Sequence, residues 1–508
     1  MDVPTLNLSG SKVRLRYTGI VIFLSRLLSL FTGAIFVLLI TRKLPIEDFG
    51  LWRMITQYLA YTSIFTNVYS YWLPRYMARG VNTSKTGLAL SLILGSTATL
   101  FYVVMAFLIS APFDQSLLIL LIVAPQVILS YIQSAMESVS TGYAPQFNGY
   151  ALLVSELVKI GLAFCLVLFF RVELLGAIIA VIGAQIVSIL FLTALNFKVI
   201  ANSKLDLNRA KSWLKHSWLP IFSASVGMVT GLDVILVRLV SGSEQPIAYC
   251  GIAFTIAGVV ANANVVASGL YPRLLARARI SEVEVTMRLM YLFAIPISIF
   301  IFFYAEPISA VFGLKYLVAM NVIRAAAIAT LLFIFSSLVD TVILGVEGED
   351  TEKLTFKGIT SSMLFKLPLL NCIMALIYLI ILRVLLMNTQ GYVEVSLRWI
   401  ISSIVSISLA IVIKLVVIRK DFRMNISINA IISLLRYAVI SLFTIFLTLN
   451  LWKVLPAERI LDLLLSLASP AIFTGVVYFM LLAFIDKDFR FLMKAAINEI
   501  NSILKSWQ

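Results

Sequence analysis

Polar chemistry is what this sequence has least of. Histidine occurs once in 508 residues, cysteine three times, and charged residues make up only 13%. The lone His216 has no second histidine to share a metal or a catalytic role, and its place at the cytoplasmic start of an apolar segment suits interfacial solvation. Cys165, Cys250 and Cys372 all fall in apolar segments without ligand-like spacing, so they read as small buried hydrophobes rather than disulfides or metal ligands. No Walker-type glycine loop occurs, which excludes ATP hydrolysis by that motif. Glu347, Glu349 and Asp350 lie close to Lys353 in a short cytoplasmic turn, where a solvated loop explains them better than a metal site. The loops expected outside the membrane are only roughly 3 to 12 residues long, too short for an external catalytic domain. The expectation is a protein that is not an enzyme and needs no cofactor.

What fills the chain instead is apolar sequence. With 61% of its residues hydrophobic, it cannot present a water-soluble surface, and it reads as an integral membrane protein. Apolar stretches of about 20 residues recur with few charges inside, and in lipid such segments satisfy their backbone as helices. Fourteen spans are expected, near residues 18–41, 50–74, 87–111, 116–137, 150–170, 174–197, 217–240, 246–272, 284–305, 318–345, 359–384, 394–418, 427–450 and 461–485. The fold class is therefore all-α and polytopic. The first span follows a basic segment, but its apolar run is too long for a signal peptide and no small-residue cleavage site follows, so it is expected to stay in the membrane. Most of the 40 lysines and arginines fall on one side when the N-terminus is placed inside, which puts both termini in the cytoplasm. The net charge of +15 reflects this topology together with attraction to anionic membrane lipids, and not nucleic-acid binding.

The chain also repeats itself. Pro74-Arg75-x-x-Ala78-Arg79 and Pro272-Arg273-x-x-Ala276-Arg277 stand 198 positions apart, each closing an apolar segment on its basic side. The same offset pairs Ser25 with Ser223, Thr32-Gly33 with Thr230-Gly231, Leu38 with Leu236, Val68 with Val266 and Ser70 with Ser268. Two copies of one membrane unit point to a transporter whose substrate lies between halves that rock against each other. Arg75 and Arg79, like Arg273 and Arg277, would share a helix face if the helix continues, and could gather an anionic headgroup at the cytoplasmic mouth or simply enforce topology. Pro74 and Pro272 are expected to bend or end their helices, and Pro296 to kink the ninth span.

A charge inside the membrane costs at least about 2.5 to 3.5 kcal/mol, so those retained there are candidates for function. Arg53, Arg238, Arg288, Arg324, Arg383, Arg398 and Lys414 lie near span ends and can snorkel to the interface. Arg26, Lys366 and Arg436 sit deeper. Glu156 and Lys159 are one turn apart on the fifth span and either neutralise each other or couple to a proton or ion. Asp233, past the middle of the seventh span, needs a partner from another span, such as Arg26, or a cation, and it is the first candidate for ion coupling. Asp340, nearer the cytoplasmic end of the tenth span, can reach water.

Leu24-Ser25-Arg26, Thr32-Gly33, the turn Leu44-Pro45-x-x-x-Phe49-Gly50-Leu51 and Asp233 follow one another in an order that resembles the Wzx-type polysaccharide repeat-unit flippases. These belong to the multidrug/oligosaccharidyl-lipid/polysaccharide exporter superfamily. Glu306-Pro307-Ile308 with Phe312-Gly313-x-x-Tyr316-x-x-Ala319 is similar to that family's turn between spans nine and ten. The resemblance implies two six-helix lobes around a central cavity with two further helices alongside. The corresponding domains are 1–197, a basic linker 198–216, a second lobe 217–420, and 421–508 with spans thirteen and fourteen and a cytoplasmic tail. In related flippases for peptidoglycan precursors, the extra helix pair forms a groove for the polyprenyl tail while cavity arginines hold the diphosphate. Arg26 matches the first-helix arginine of that pattern; the basic residue expected at mid-depth of the second helix is absent. Arginine suits such a partner because its planar donor fork meets a diphosphate.

The expected function is translocation of a polyprenyl-diphosphate-linked glycan by alternating access, with Arg26, Arg75, Arg79, Arg273 and Arg277 as substrate contacts. Asp233, Glu156 and Lys159 are expected to couple it to Na+ or H+. The alternatives are a cation-coupled multidrug exporter of the same fold and, from another class, a membrane glycan polymerase or ligase.

Overall fold

The computed structural model describes residues 15–113, 115–270, 274, 280–347, 360, 362–421, 428–486, 489, 490 and 494. Every regular element among them is a helix: α1 (Leu15–Lys43), α2 (Ile46–Thr62), α3 (Asn67–Ser70), α4 (Leu73–Ala78), α5 (Ser84–Ser110), α6 (Leu117–Tyr143), α7 (Gln146–Ala163), α8 (Glu173–Ala201), α9 (Leu207–His216), α10 (Trp218–Ser241) and α11 (Gln245–Ala261). Then come α12 (Ile280–Phe303), α13 (Ala305–Val311), α14 (Met320–Glu347), α15 (Met363–Leu385), α16 (Tyr392–Asp421), α17 (Ile428–Leu451) and α18 (Ile460–Ile485). Among the described residues, 13 helices are long and apolar enough to cross a membrane. Large side chains such as Phe31, Phe107, Leu108 and Leu190 are more than half exposed on these helices, as expected where the solvent is lipid.

The second expected span is the one not counted among the thirteen, because it is broken. It passes from α2 into a 3₁₀ turn at Ser63–Thr66 before α3. The cause is local: Thr62, Ser63, Thr66 and Asn67 each donate a side-chain hydrogen bond to the carbonyl three residues back, which competes with the α-helical ladder and tightens the turn. Tyr131 of α6 donates to the Thr62 carbonyl at 2.6 Å, and Tyr69 donates back to the Tyr131 carbonyl at 2.8 Å. Freed backbone groups are thereby satisfied inside the protein, as the membrane requires. A second 3₁₀ segment, Asn262–Gly269, follows α11, so the breaks recur at nearly the repeat offset. Pro74 starts α4 instead of ending a helix; proline is tolerated there because its missing N–H would lack a partner anyway. Pro272 lies outside the described residues.

The chain forms two compact units, the first of Met1–Ala248 with Pro368–Arg383 and the second of Tyr249–Leu367 with Val384–Gln508. In the first, glycines let helices close up: a Cβ on Gly149 of α7 would lie 2.9 Å from Val21 of α1, and one on Gly142 of α6 would lie 2.4 Å from Met77. Close approach matters because helices in lipid associate through packing and hydrogen bonds, not a hydrophobic drive. In the second unit, α18 is tied to α12 by Tyr478, which donates to the Leu292 carbonyl at 3.1 Å, and to α17 by Thr448 and Thr474 at 2.8 Å.

Candidate functional site

Three helices of the first unit converge on Asp233. Tyr378 of α15 donates to Asp233 Oδ2 at 2.7 Å, and the Val234 amide to Oδ1 at 2.7 Å. Tyr61 of α2 donates to the Gly231 carbonyl at 2.5 Å. Gln57 lies so close to Gly231 that a Cβ there would fall 2.0 Å from its Nε2. The glycine of the repeated Thr-Gly step is thus a gap that Gln57 fills. The partner supplied by another span is Tyr378; Arg26 makes no ion pair with a described residue. A tyrosine was not a candidate in the sequence because its hydroxyl does not stand out in an apolar helix.

Glu156 and Lys159 form a second cluster. Glu156 is 8% exposed, receives the Lys159 ammonium at 2.6 Å and receives the Thr32 hydroxyl of α1 at 2.6 Å. Lys159 also lies 5.5 Å from the Phe36 ring centroid. The repeated Thr32 therefore joins α1 to α7 through a neutralised pair.

Arg26 is exposed on α1, about 100° around the helix from Ser25, which is buried in the seam with α7. Arg75 and Arg79 are also exposed. Arg75 turns back onto its own turn, donating to the Tyr71 carbonyl with its guanidinium 3.7 Å from the Tyr71 ring centroid. Arg273 and Arg277 lie outside the described residues, as do Glu349 and Asp350 and the Glu347 side chain.

Several charges expected to snorkel do not. Arg238 is 8% exposed and is held by Glu244 at 2.8 Å and by the Phe113 carbonyl. Gly242, with φ of +66°, closes α10 there by donating to the Arg238 carbonyl, a left-handed cap that glycine adopts freely. Lys414 of α16 has a side chain only 3% exposed and pairs with Asp340 of α14 at 2.7 Å, while also donating to Ser336 at 2.9 Å. Both corrections have one cause: a nearby carboxylate within the same unit makes burial cheaper than reaching for the interface. Asp340 accordingly faces Lys414 and not only water. Arg436 likewise pairs with Asp486, at 3.1 Å, and Arg398 with Glu394. The three cysteines are free, but Cys165 is exposed and Cys372 intermediate, leaving only Cys250 buried. His216 is exposed, its ring against the Ser212 carbonyl.

The geometry so far defines a class, a multi-pass all-helical membrane protein whose intramembrane charges are neutralised mainly along helix seams. Its fold is shared with solved membrane transporters. It is similar to a lipid II flippase MurJ in an inward closed conformation, with TM-score 0.62 and 17% identity over 93% of this chain and 99% of that one. It is also similar to an inward-facing multidrug resistance MATE family transporter of the MOP superfamily, with TM-score 0.59 and 13% identity over 78% of this chain and 96% of that one. A further MATE structure matches with TM-score 0.54 and 14% identity over 81% of this chain and 96% of that one. No protein-family profile matches the sequence, and no curated protein matches it.

Proposed function

We propose that this protein is a flippase that carries a polyprenyl-diphosphate-linked oligosaccharide from the cytoplasmic to the outer leaflet by alternating access of two six-span lobes. The observation that carries the reading is the extent of the likeness. The lipid flippase accounts for 93% of this chain, whereas a multidrug transporter leaves more than a fifth of it unmatched. A chain with two helices beyond twelve fits a long lipid-tailed cargo better than a compact drug. Arg26, exposed on α1 and without an ion pair among the described residues, is the first diphosphate contact on this reading. Arg75, Arg79, Arg273 and Arg277 gather the headgroup at the cytoplasmic mouth. Asp233, held by Tyr378, and the Glu156–Lys159 pair couple the motion to Na+ or H+.

The test is translocation of a labelled polyprenyl-diphosphate oligosaccharide in proteoliposomes. Transport by the intact protein, lost with Arg26→Ala and uncoupled from the ion gradient with Asp233→Asn, supports the reading. If the intact protein moves no lipid-linked sugar but exports cationic dyes along a sodium or proton gradient, the protein is a multidrug exporter of this fold instead.

A further inference from the structure

The two units share more than the sequence offset of 198. Aligning α6 with α14 at an offset of 203 places Ser134 on Ser337, Val139 on Val342, Gly142 on Gly345 and Glu137 on Asp340. The packing agrees with the register. Gly142 is pressed against Met77 and Pro74, and Gly345 against Leu274, the matching end of the repeat. Aligning α8 with α16 at an offset of 218 superposes their buried ladders, Ala184, Ser188, Leu192 and Asn196 on Ser402, Ser406, Ala410 and Lys414. The two alignments give each unit an acidic position on one helix and a counterpart position on another.

In the second unit the counterpart is a cation: Lys414 sits on Asp340 at 2.7 Å. In the first unit it is neutral. Asn196 is wholly buried and donates to Ser140, one turn from Glu137, and to the Leu192 carbonyl. Glu137 accepts from Gln133 at 2.8 Å and makes no ion pair with a described residue. Three of the cations on the elements packed around it are engaged elsewhere. Lys85 of α5 donates to the Ala201 carbonyl, Arg75 of α4 to Tyr71, and Lys159 of α7 to Glu156. Arg79 and Lys198, at the ends of α4 and α8, are exposed. Tyr69 of α3 is the ionisable hydroxyl facing Glu137, and it donates to the Tyr131 carbonyl. Two buried amide oxygens nearby, Asn196 Oδ1 and Asn148 Oδ1, have no hydrogen-bond donor, although Asn148 Nδ2 donates to the Glu137 carbonyl at 3.0 Å.

A partly buried carboxylate in a candidate membrane-spanning helix, an asparagine where the second unit has a lysine, and two donorless amide oxygens make a place rich in acceptors and short of positive charge. Oxygen acceptors of this kind suit a hard cation or a proton. We infer that Glu137 is a binding site for a small monovalent cation, H+ or Na+, filling the role that the Lys414 ammonium fills permanently in the second unit. Glu137 is then either a carboxylic acid, its proton taken from the cytoplasmic side, or a sodium ligand. The inference does not depend on which cargo is carried.

The test measures cation uptake directly, without transport, on the full-length protein in liposomes. Infrared difference spectra between about pH 5 and about pH 8 in sodium-free buffer report a protonated carboxyl, and calorimetric titration with NaCl at constant pH reports sodium. The expected result is uptake by Glu137→Gln lower than by the wild type by about one cation per protein, with wild-type uptake in Glu137→Asp. Asn196→Lys, which rebuilds the arrangement of the second unit, should lower uptake by the same amount. Glu394→Gln, removing a carboxylate paired with Arg398 at the far end of the second unit's α16, should not. The two arms separate a proton from sodium. Should Asn196→Lys fail to fold, the near-isosteric Glu137→Gln still decides. Uptake in Glu137→Gln equal to the wild type in both arms overturns the inference.

Discussion

Asp340→Asn should destabilise this protein far more than Lys414→Met, although each removes one member of the same pair. The asymmetry follows from burial. The Lys414 side chain is 3% exposed and that of Asp340 is 27% exposed. Removing the carboxylate leaves an ammonium in the interior with, among the described residues, the Ser336 hydroxyl at 2.9 Å as its remaining acceptor. Breaking a buried pair from one side costs about 3 to 5 kcal/mol. Removing the lysine leaves a carboxylate with partial access to water, a loss of about 1 kcal/mol. Replacing both, with Asp340→Leu and Lys414→Met, removes the stranded charge altogether, and such swaps range from neutral to stabilising by about 1 to 4 kcal/mol. Unfolding of a polytopic protein is seldom reversible, so the assay is the half-life of monodisperse protein in detergent at a series of temperatures. The expected order, from least to most stable, is Asp340→Asn, then Lys414→Met, then the double variant at or above wild type. Equal losses from the two single variants, or a double variant as unstable as Asp340→Asn, would refute the argument that Lys414 is held by its partner and not by snorkelling.

Other outcomes follow from packing and partners. Gly50→Ala should destabilise by about 1 to 3 kcal/mol, because a Cβ there would sit 2.2 Å from the Glu244 backbone oxygen, whereas Gly33→Ala meets nothing within 4 Å and should be neutral or slightly stabilising; thermal half-lives compare the two. Arg238→Leu should loosen the link between α10 and the Phe113 carbonyl and strand Glu244, which hydrogen exchange at residues 111–116 and 241–247 would report as lost protection. Tyr378→Phe removes the hydroxyl donated to Asp233 at 2.7 Å, so the ion dependence of transport should shift in the same direction as with Asp233→Asn but less far; an unchanged dependence would take Tyr378 out of the coupling site.

Thirteen of the fourteen expected spans, their spacing and the repeat were legible in the sequence because each rests on apolar run length and residue identity at a fixed offset. The 3₁₀ break at Ser63–Thr66 was not, since it depends on four short polar side chains turning back on their own carbonyls together. Glu156 with Lys159 was legible as a local pair, one turn apart. Asp340 with Lys414 was legible only in part: each lies four or five residues from the cytoplasmic end of its expected span, so equal depth was available, but nothing in one sequence says that those two helices are neighbours. Tyr378 at Asp233 left no signal at all, because a single hydroxyl does not change an apolar pattern.

The repeat has a consequence for where function lies. Duplicated halves start with the same polar residues, and drift is cheap wherever lipid or packing alone is served. Positions that keep their fold and change their charge are therefore the informative ones. Thr32-Gly33 and Thr230-Gly231 retain identity, yet Thr32 binds the neutralised Glu156 while Gly231 makes room for Gln57 beside Asp233. Glu137 and Asp340 retain acidity, yet only Asp340 keeps a lysine. A protein that cycles between two states by moving a cation needs carboxylates whose charge can change, and a carboxylate locked to a buried ammonium is poorly suited to that. If the protein works as proposed, this reasoning leaves Asp340 as a structural pair and ranks Asp233 and Glu137, which accept from Tyr378 and Gln133, ahead of the Glu156–Lys159 pair as coupling groups. Reversal charge mapping would separate the two classes. Interchanging Asp340 and Lys414 should preserve stability and transport, whereas lysine at position 233 or 137 should leave a folded protein that no longer responds to the ion gradient.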